Sequence, residues 1–241
     1  MNVNTFFDKI YCINLAHRND KWQQFSYYAQ QAKINVERFE AVDGRTITVP
    51  ISWKNNVFPE YKDNLGALGC LESHLAILKI AREKNLKNVL IFEDDVYFTK
   101  KFNKNLEKSL LELPENWDMF YLYTGHFQYA VDPKKYSKNL YRLQHSLTTS
   151  AYAVNQKFYD QIIQQVEQKN QPIDCLYYQI HKDNYCYKSV HRLCSLYQSI
   201  SDISGKISNT IPADPTLGER LIILAGATIR KVTSKLSGRL R

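Results

Sequence analysis

Residues 7–44 alternate in a way that few folds accommodate. The run FDKIYCINL (7–15) is short, β-branched and aromatic, and as a buried strand it ends at Asn14. Residues 17–33 then place Trp22, Phe25, Tyr28, Ala29 and Ala32 at helical spacing, with Asp20 as the N-cap. INVERFEAVDG (34–44) alternates Val36, Phe39 and Ala41 and stops at Gly44, which reads as a turn glycine. Strand, helix and strand in this order predict a right-handed crossover and a parallel pair.

The alternation continues. Residues 45–64, with Pro50, Pro59 and several Asn, read as loop. Residues 65–85 place Leu68, Leu71, Leu75, Leu78 and Ala81 on one helix face, and LKNVLIFEDDVYF (86–98) is the next strand. A helix over 102–114, a strand over 118–125, one or two strands over 140–155, helices over 156–170 and 173–184, and an extended segment over 185–198 complete the pattern. This predicts an α/β sandwich with a largely parallel sheet. Ligands of such sheets gather beyond the carboxyl ends of the strands. Asn14, Asp43 and the acids Glu93, Asp94 and Asp95 all fall there.

Three adjacent carboxylates repel one another, and a strand end does not need them. A Walker-B strand would require an upstream phosphate loop of the G-x-x-x-x-G-K-[ST] type, which this chain lacks. The other setting is a nucleotide-sugar site, in which Glu93 and Asp95, one residue apart, hold Mn²⁺ or Mg²⁺ through hard oxygen ligands. The plain alternative is a solvated strand-to-loop turn.

The ordered set IYCINLAHRNDK, FEAVDG, LGALGCLESHLAIL, VLIFEDDVYF and SLYQSISDISG, spanning roughly residues 8–206, resembles glycosyltransferase family 25. That family includes lipooligosaccharide galactosyltransferases and the collagen galactosyltransferase domains. The resemblance implies a GT-A-type Rossmann-like fold and inverting transfer from a UDP-sugar, usually UDP-galactose, to an oligosaccharide or glycolipid acceptor. It also implies residue roles. Asn14, Leu15 and Arg18 match the opening motif and would orient the nucleotide and pair with phosphate. Ala41, Val42 and Asp43 match the stretch that contacts uracil or ribose. His74, in the Ser-His-Leu motif, is either a pocket residue or a satisfied helical histidine. Glu93 and Asp95 would hold the metal, with Asp94 at the diphosphate. Ser150 and Tyr152 would line the sugar pocket, although Thr stands here where relatives often carry Gly. Asp174 is the candidate general base, or else a helix N-cap. Gln198 and Asp202 match the closing motif, and His191 is a candidate third metal ligand.

Composition restricts the remaining function classes. Of a net charge of +8, residues 219–241 carry +5, from six basic residues against Glu219. The body is near neutral, which argues against a nucleic-acid partner. Five cysteines without C-x-x-C spacing read as reduced thiols, most of them buried. No signal peptide or spanning segment is evident, so a cytoplasmic location is expected. Residues 1–206 read as the transferase domain, 207–218 as a linker and 219–241 as a basic amphipathic helix. That helix suits an anionic membrane surface at the inner face of the cytoplasmic membrane, or else docks on the domain. A related fold that binds sugar or a partner without catalysis is the competing functional reading.

Overall fold

The computed structural model describes residues 2–124, 134–168, 171–197 and 202–203. The expected linker and C-terminal helix, and Gln198, lie outside the described residues. The elements run α1 (Val3–Phe6), β1 (Lys9–Asn14), α2 (Asn19–Gln31), β2 (Glu37–Glu40), α3 (Ile51–Lys54), a 3-10 turn (Pro59–Tyr61), α4 (Leu65–Glu83), β3 (Asn88–Glu93), β4 (Val96–Phe98) and α5 (Phe102–Glu112). There follow β5 (Met119–Tyr121), β6 (Lys134–Lys135), β7 (Leu140–Arg142), β8 (Ala151–Asn155), α6 (Tyr159–Gln168), α7 (Ile173–Ile180), β9 (Cys186–Ser189) and β10 (Cys194–Leu196).

The fold is α/β. Its main sheet has the order β2-β1-β3-β8-β5-β9-β7-β6, and β10 leaves it to pair with β4. Six of the eight strands point the same way; β7 and β8 are reversed. The largely parallel sheet is therefore present in direction, but β8 wedges antiparallel between β3 and β5.

Apolar side chains fill both faces, which is why β3 reads as a continuous apolar run. Val89 and Ile91 face Leu71, Leu75, Leu78, Ile162 and Leu176 from α4, α6 and α7. Leu90 and Phe92 face Phe25, Ala29, Leu106 and Leu110 from α2 and α5. Both long helices ahead of these strands end in the same device. Lys33 (φ 56°) and Asn85 (φ 52°) take the left-handed conformation just past α2 and α4. Ile34 N–H then donates to Ala29 O at 2.9 Å, and Leu86 N–H to Ala81 O at 3.0 Å. This ending satisfies the last carbonyls and turns the chain back into the core.

Three local expectations need correction. Asp20 is not the N-cap of α2; Arg18 occupies that position, and Asp20 sits in the first turn with its carboxylate on the Arg18 guanidinium. The 45–64 segment is not all loop, since α3 buries Trp53. Gly44 is not required for a left-handed turn. A Cβ there would lie 1.8 Å from Leu65 O, and one on Gly69 would lie 2.4 Å from Val42 O. The two glycines let the 41–44 loop press directly onto the start of α4. Ser73 fixes this contact, accepting from Val42 N–H at 2.8 Å and donating to Gly69 O at 2.6 Å.

Candidate active site

At the carboxyl ends of β1, β2 and β3 lies a cavity of about 210 Å³. Among the expected residues it gathers Asn14, Leu15, Ala41, Val42, Asp43, His74, Glu93, Asp94, Asp95 and Asp202. Parallel strands bring their carboxyl ends to one edge of the sheet, so residues far apart in sequence meet there. Register does the rest: Ile13 stands opposite Glu93, and Asn14 opposite Glu40.

The three acids are treated differently. Glu93 accepts from Thr149 Oγ1 at 2.8 Å and from Ser150 Oγ at 3.2 Å, with His74 Nε2 3.5 Å away. Burial pushes its carboxyl up, but His74 and the two hydroxyls outweigh burial and leave it below the usual range. Asp94 accepts from Asn14 Nδ2 at 2.6 Å and lies 3.6 Å from Lys21 Nζ. Burial nevertheless leaves its carboxyl raised. Asp95 has the least support. Its Oδ1 is buried without a hydrogen-bond partner. Burial, then the charges of Glu93 and Asp94, push it up to about 8.

An orphaned carboxylate oxygen beside two further acids suits a divalent cation, and among the described residues the three carboxylates do not themselves close into one ligand cluster. Oxygen donors of this kind suit Mg²⁺ or Mn²⁺.

Lys21 lines the cavity too, and Arg18, which does not, shares its partner Asp202. Arg18 Nη1 donates to Asp202 at 2.5 and 2.7 Å, and Lys21 Nζ to Asp202 at 2.6 Å. Lys21 is a functional candidate that sequence reasoning missed. It is only 6% exposed and sits in the first turn of α2, where the helix dipole disfavours a cation. That misplaced charge was the available signal. Asp43 is clamped by Arg45, which holds its carboxyl at about 2. Thr149 was also missed; a hydroxyl in a run of small residues gave no signal.

Other expected residues do not reach the cavity wall. Ser150 backs Glu93. Tyr152 stands opposite Ile91 and is fully buried; its hydroxyl meets His74 Nδ1 at 2.9 Å and Tyr177 at 3.1 Å. Because β8 lies inside the sheet, Tyr152 supports the site from beneath and does not line a sugar pocket. His191, expected as a third metal ligand, is held elsewhere. It follows β9, three places from β3, and its Nε2 lies 3.0 Å from Asn139 Oδ1. Asp174 lies in the first turn of α7, whose N-cap is Pro172, so it does not cap the helix. Its Oδ1 accepts from Cys175 N–H at 2.8 Å. Burial, and to a smaller degree the Glu93 charge, raises its carboxyl.

Residues 7–177 match the model of Glycosyltransferase family 25 (LPS biosynthesis protein). Procollagen galactosyltransferase 2 of Mus musculus is 28% identical over 62% of this chain and 26% of its own length. Procollagen galactosyltransferase 1-A of Xenopus laevis is 30% identical over 62% and 27%. Probable inactive glycosyltransferase 25 family member 3 of Rattus norvegicus is 33% identical over 48% and 22%. The chain thus spans about a quarter of the length of the curated relatives it matches. Among solved structures, A197 from STIV aligns over 82% of this chain and 91% of its own, at TM-score 0.47 and 11% identity.

Proposed function

Because the chain belongs to glycosyltransferase family 25, we propose that it is a metal-dependent, inverting hexosyltransferase. Its donor is a UDP-sugar, with UDP-galactose the first candidate, and its acceptor is an oligosaccharide or glycolipid. The observation that carries this reading is the orphaned Asp95 Oδ1 in a cavity shared with Glu93, Asp94 and Lys21. A hard divalent cation held by Asp95 and Glu93 would supply charge neutralisation at the donor diphosphate. Asn14 keeps Asp94 in place from β1. Lys21 presents positive charge in the cavity, where charge grows on a leaving diphosphate, and Arg18 is joined to it through Asp202. The 41–44 backbone, pinned by Ser73, forms a rigid ledge for the nucleoside.

Asp174, off the cavity wall but near enough to feel the Glu93 charge, is the candidate base for the attacking acceptor hydroxyl in this reading, with the acceptor entering from the α7 side. Its raised carboxyl pKa brings it nearer to neutrality, where a general base works best. The basic amphipathic pattern of 219–241 supports docking on an anionic membrane surface from the cytoplasmic side.

The test is UDP release from UDP-galactose with Mn²⁺ and an oligosaccharide acceptor, wild type against Asp95→Ala. Turnover that is abolished by the substitution and by a chelator supports the assignment. Turnover indifferent to both defeats it. A second reading, a sugar-binding module, draws on the relatives whose names call them inactive. Its signature is UDP-sugar binding by calorimetry without turnover on any acceptor, together with an Asp174→Asn variant that behaves as wild type.

A further inference from the structure

Cys70, His74 and Glu93 form a group that the transferase reading does not use as a unit. Their ligand atoms all lie within 4.8 Å of one another. Cys70 and His74 are four residues apart on α4, so they rise from the same helix face, one turn above the other. Glu93 meets them from the end of β3. All three line the cavity, which gives an entry path. His74 is fully buried, and its Nε2 has no hydrogen-bond partner. It points toward Glu93 Oε1 at 3.5 Å.

The groups behind these three are already arranged. His74 Nδ1 faces the Tyr152 hydroxyl at 2.9 Å, and Tyr152 in turn faces Tyr177 at 3.1 Å. In the metal-free protein the Nε2 proton faces Glu93; once that proton is released and Nδ1 donates to Tyr152, Nε2 is free to take a metal. Glu93 is steadied by Thr149 and Ser150. Ligands oriented by such partners are characteristic of metal sites. The donor set is one sulfur, one imidazole nitrogen and one carboxylate oxygen. That mixture is poor for Mg²⁺ and well matched to Zn²⁺, which takes four ligands at roughly 2.0–2.3 Å.

We propose that Cys70, His74 and Glu93 form a second cation site, selective for Zn²⁺-like ions, with its fourth position open to the cavity. Binding replaces the Cys70 S–H bond with a sulfur–metal bond and releases the proton to solvent. Side-chain rotations of roughly 1 Å close the three ligands onto the ion. A Glu93 carboxylate drawn onto this ion is a poorer ligand for a hard cation beside Asp95, because the two positive ions repel and share its charge. Zn²⁺ therefore inhibits Mn²⁺-supported transfer; this consequence, unlike the site itself, rests on the transferase reading.

The test uses the full chain without donor and Co²⁺ as a spectroscopic stand-in for Zn²⁺. One equivalent of Co²⁺ is expected to give a near-ultraviolet thiolate-to-cobalt band that Zn²⁺ abolishes and Cys70→Ser lacks. His74→Gln is expected to weaken Co²⁺ binding by at least about tenfold. Should either variant fail to fold, the wild-type protein still decides the matter. Stoichiometric Zn²⁺ is expected to shield one thiol from alkylation, mapped by peptide mass spectrometry to Cys70. Absence of the band, its persistence in Cys70→Ser, or shielding at another cysteine overturns the site. Zn²⁺ binding at Cys70 without inhibition of transfer would leave the site standing and count against the position of the hard cation beside Glu93.

Discussion

The two sides of the cavity are built on opposite principles. On the β1–β2–β3 side the polar groups are short of partners: Asn14 Oδ1 and Asp95 Oδ1 are buried and unbonded. On the β8–β5–β9 side they are largely matched, the His74 Nε2 apart. Thr149 and Ser150 hold Glu93, Tyr152 links His74 to Tyr177, and Tyr121 meets His181 at 2.8 Å while Ser146 N–H donates to the other ring nitrogen. Burial keeps His181 neutral, at about 3. A buried polar group without a partner costs free energy, so it persists where something is to be received. A satisfied network instead fixes geometry. One side is a socket and the other a buttress.

The sharpest way to break this contrast is Asp95→Asn, which removes the charge and keeps the shape. Transfer is expected to fall by about 10²–10³-fold. Stability should move the other way. Asp95 ionises at about 8 in the folded chain, against about 3.8 unfolded. Between those values the unfolded chain releases a proton that the folded chain retains. The Asp95 contribution to stability of the metal-free protein is therefore least unfavourable below about pH 4 and worsens as pH rises toward about 8, whereas depressed carboxyls such as Asp43 lose stabilisation at low pH. Thermal melts in chelator should show this slope in the wild type and a flatter one in Asp95→Asn. Equal slopes would mean that Asp95 is solvated, and the socket would lose its main member.

Next in size is Gly69→Ala. The added carbon would meet Val42 O at 2.4 Å and Gly44 N at 2.7 Å, both backbone atoms that cannot rotate aside. A destabilisation of about 1–3 kcal/mol is expected, measured by urea unfolding. A neutral outcome would show that the 41–44 ledge yields, against its role as a fixed wall.

How much of this was legible in sequence follows the same division. The β1–α2–β2 unit, α4 and β3 announce themselves because their periodicity is local and their strands are parallel neighbours. The socket residues at their ends could therefore be named. The buttress could not. The reversal of β8 depends on pairing with β3 and β5 across long stretches of chain, and no local pattern encodes it. Tyr152 was accordingly assigned to a pocket wall it does not reach, and Thr149 passed without notice. His191 follows the same division: sheet order puts β9 three places from β3, and its Nε2 faces Asn139.

Lys21→Met sharpens the contrast within the socket. The methionine keeps much of the buried stem but removes the charge facing Asp94 and Asp202. UDP affinity by calorimetry is expected to fall by about tenfold, the size of a charge-assisted hydrogen bond. Affinity that is unchanged would make Lys21 a neutraliser of Asp202 alone.

The smallest effect belongs to the buttress. Thr149→Val removes the 2.8 Å hydroxyl donor to Glu93 Oε1 at nearly constant volume. Glu93 keeps the Ser150 bond and the nearby His74 ring, so its carboxylate should ionise less readily but stay in place. The expected loss of transfer is about threefold, under 1 kcal/mol. Redundancy is what a buttress supplies, because each bond there is backed by another. If Thr149→Val instead costs as much as Asp95→Asn, Glu93 is held by a single bond, and both sides of the cavity belong to one cooperative network with no division between them.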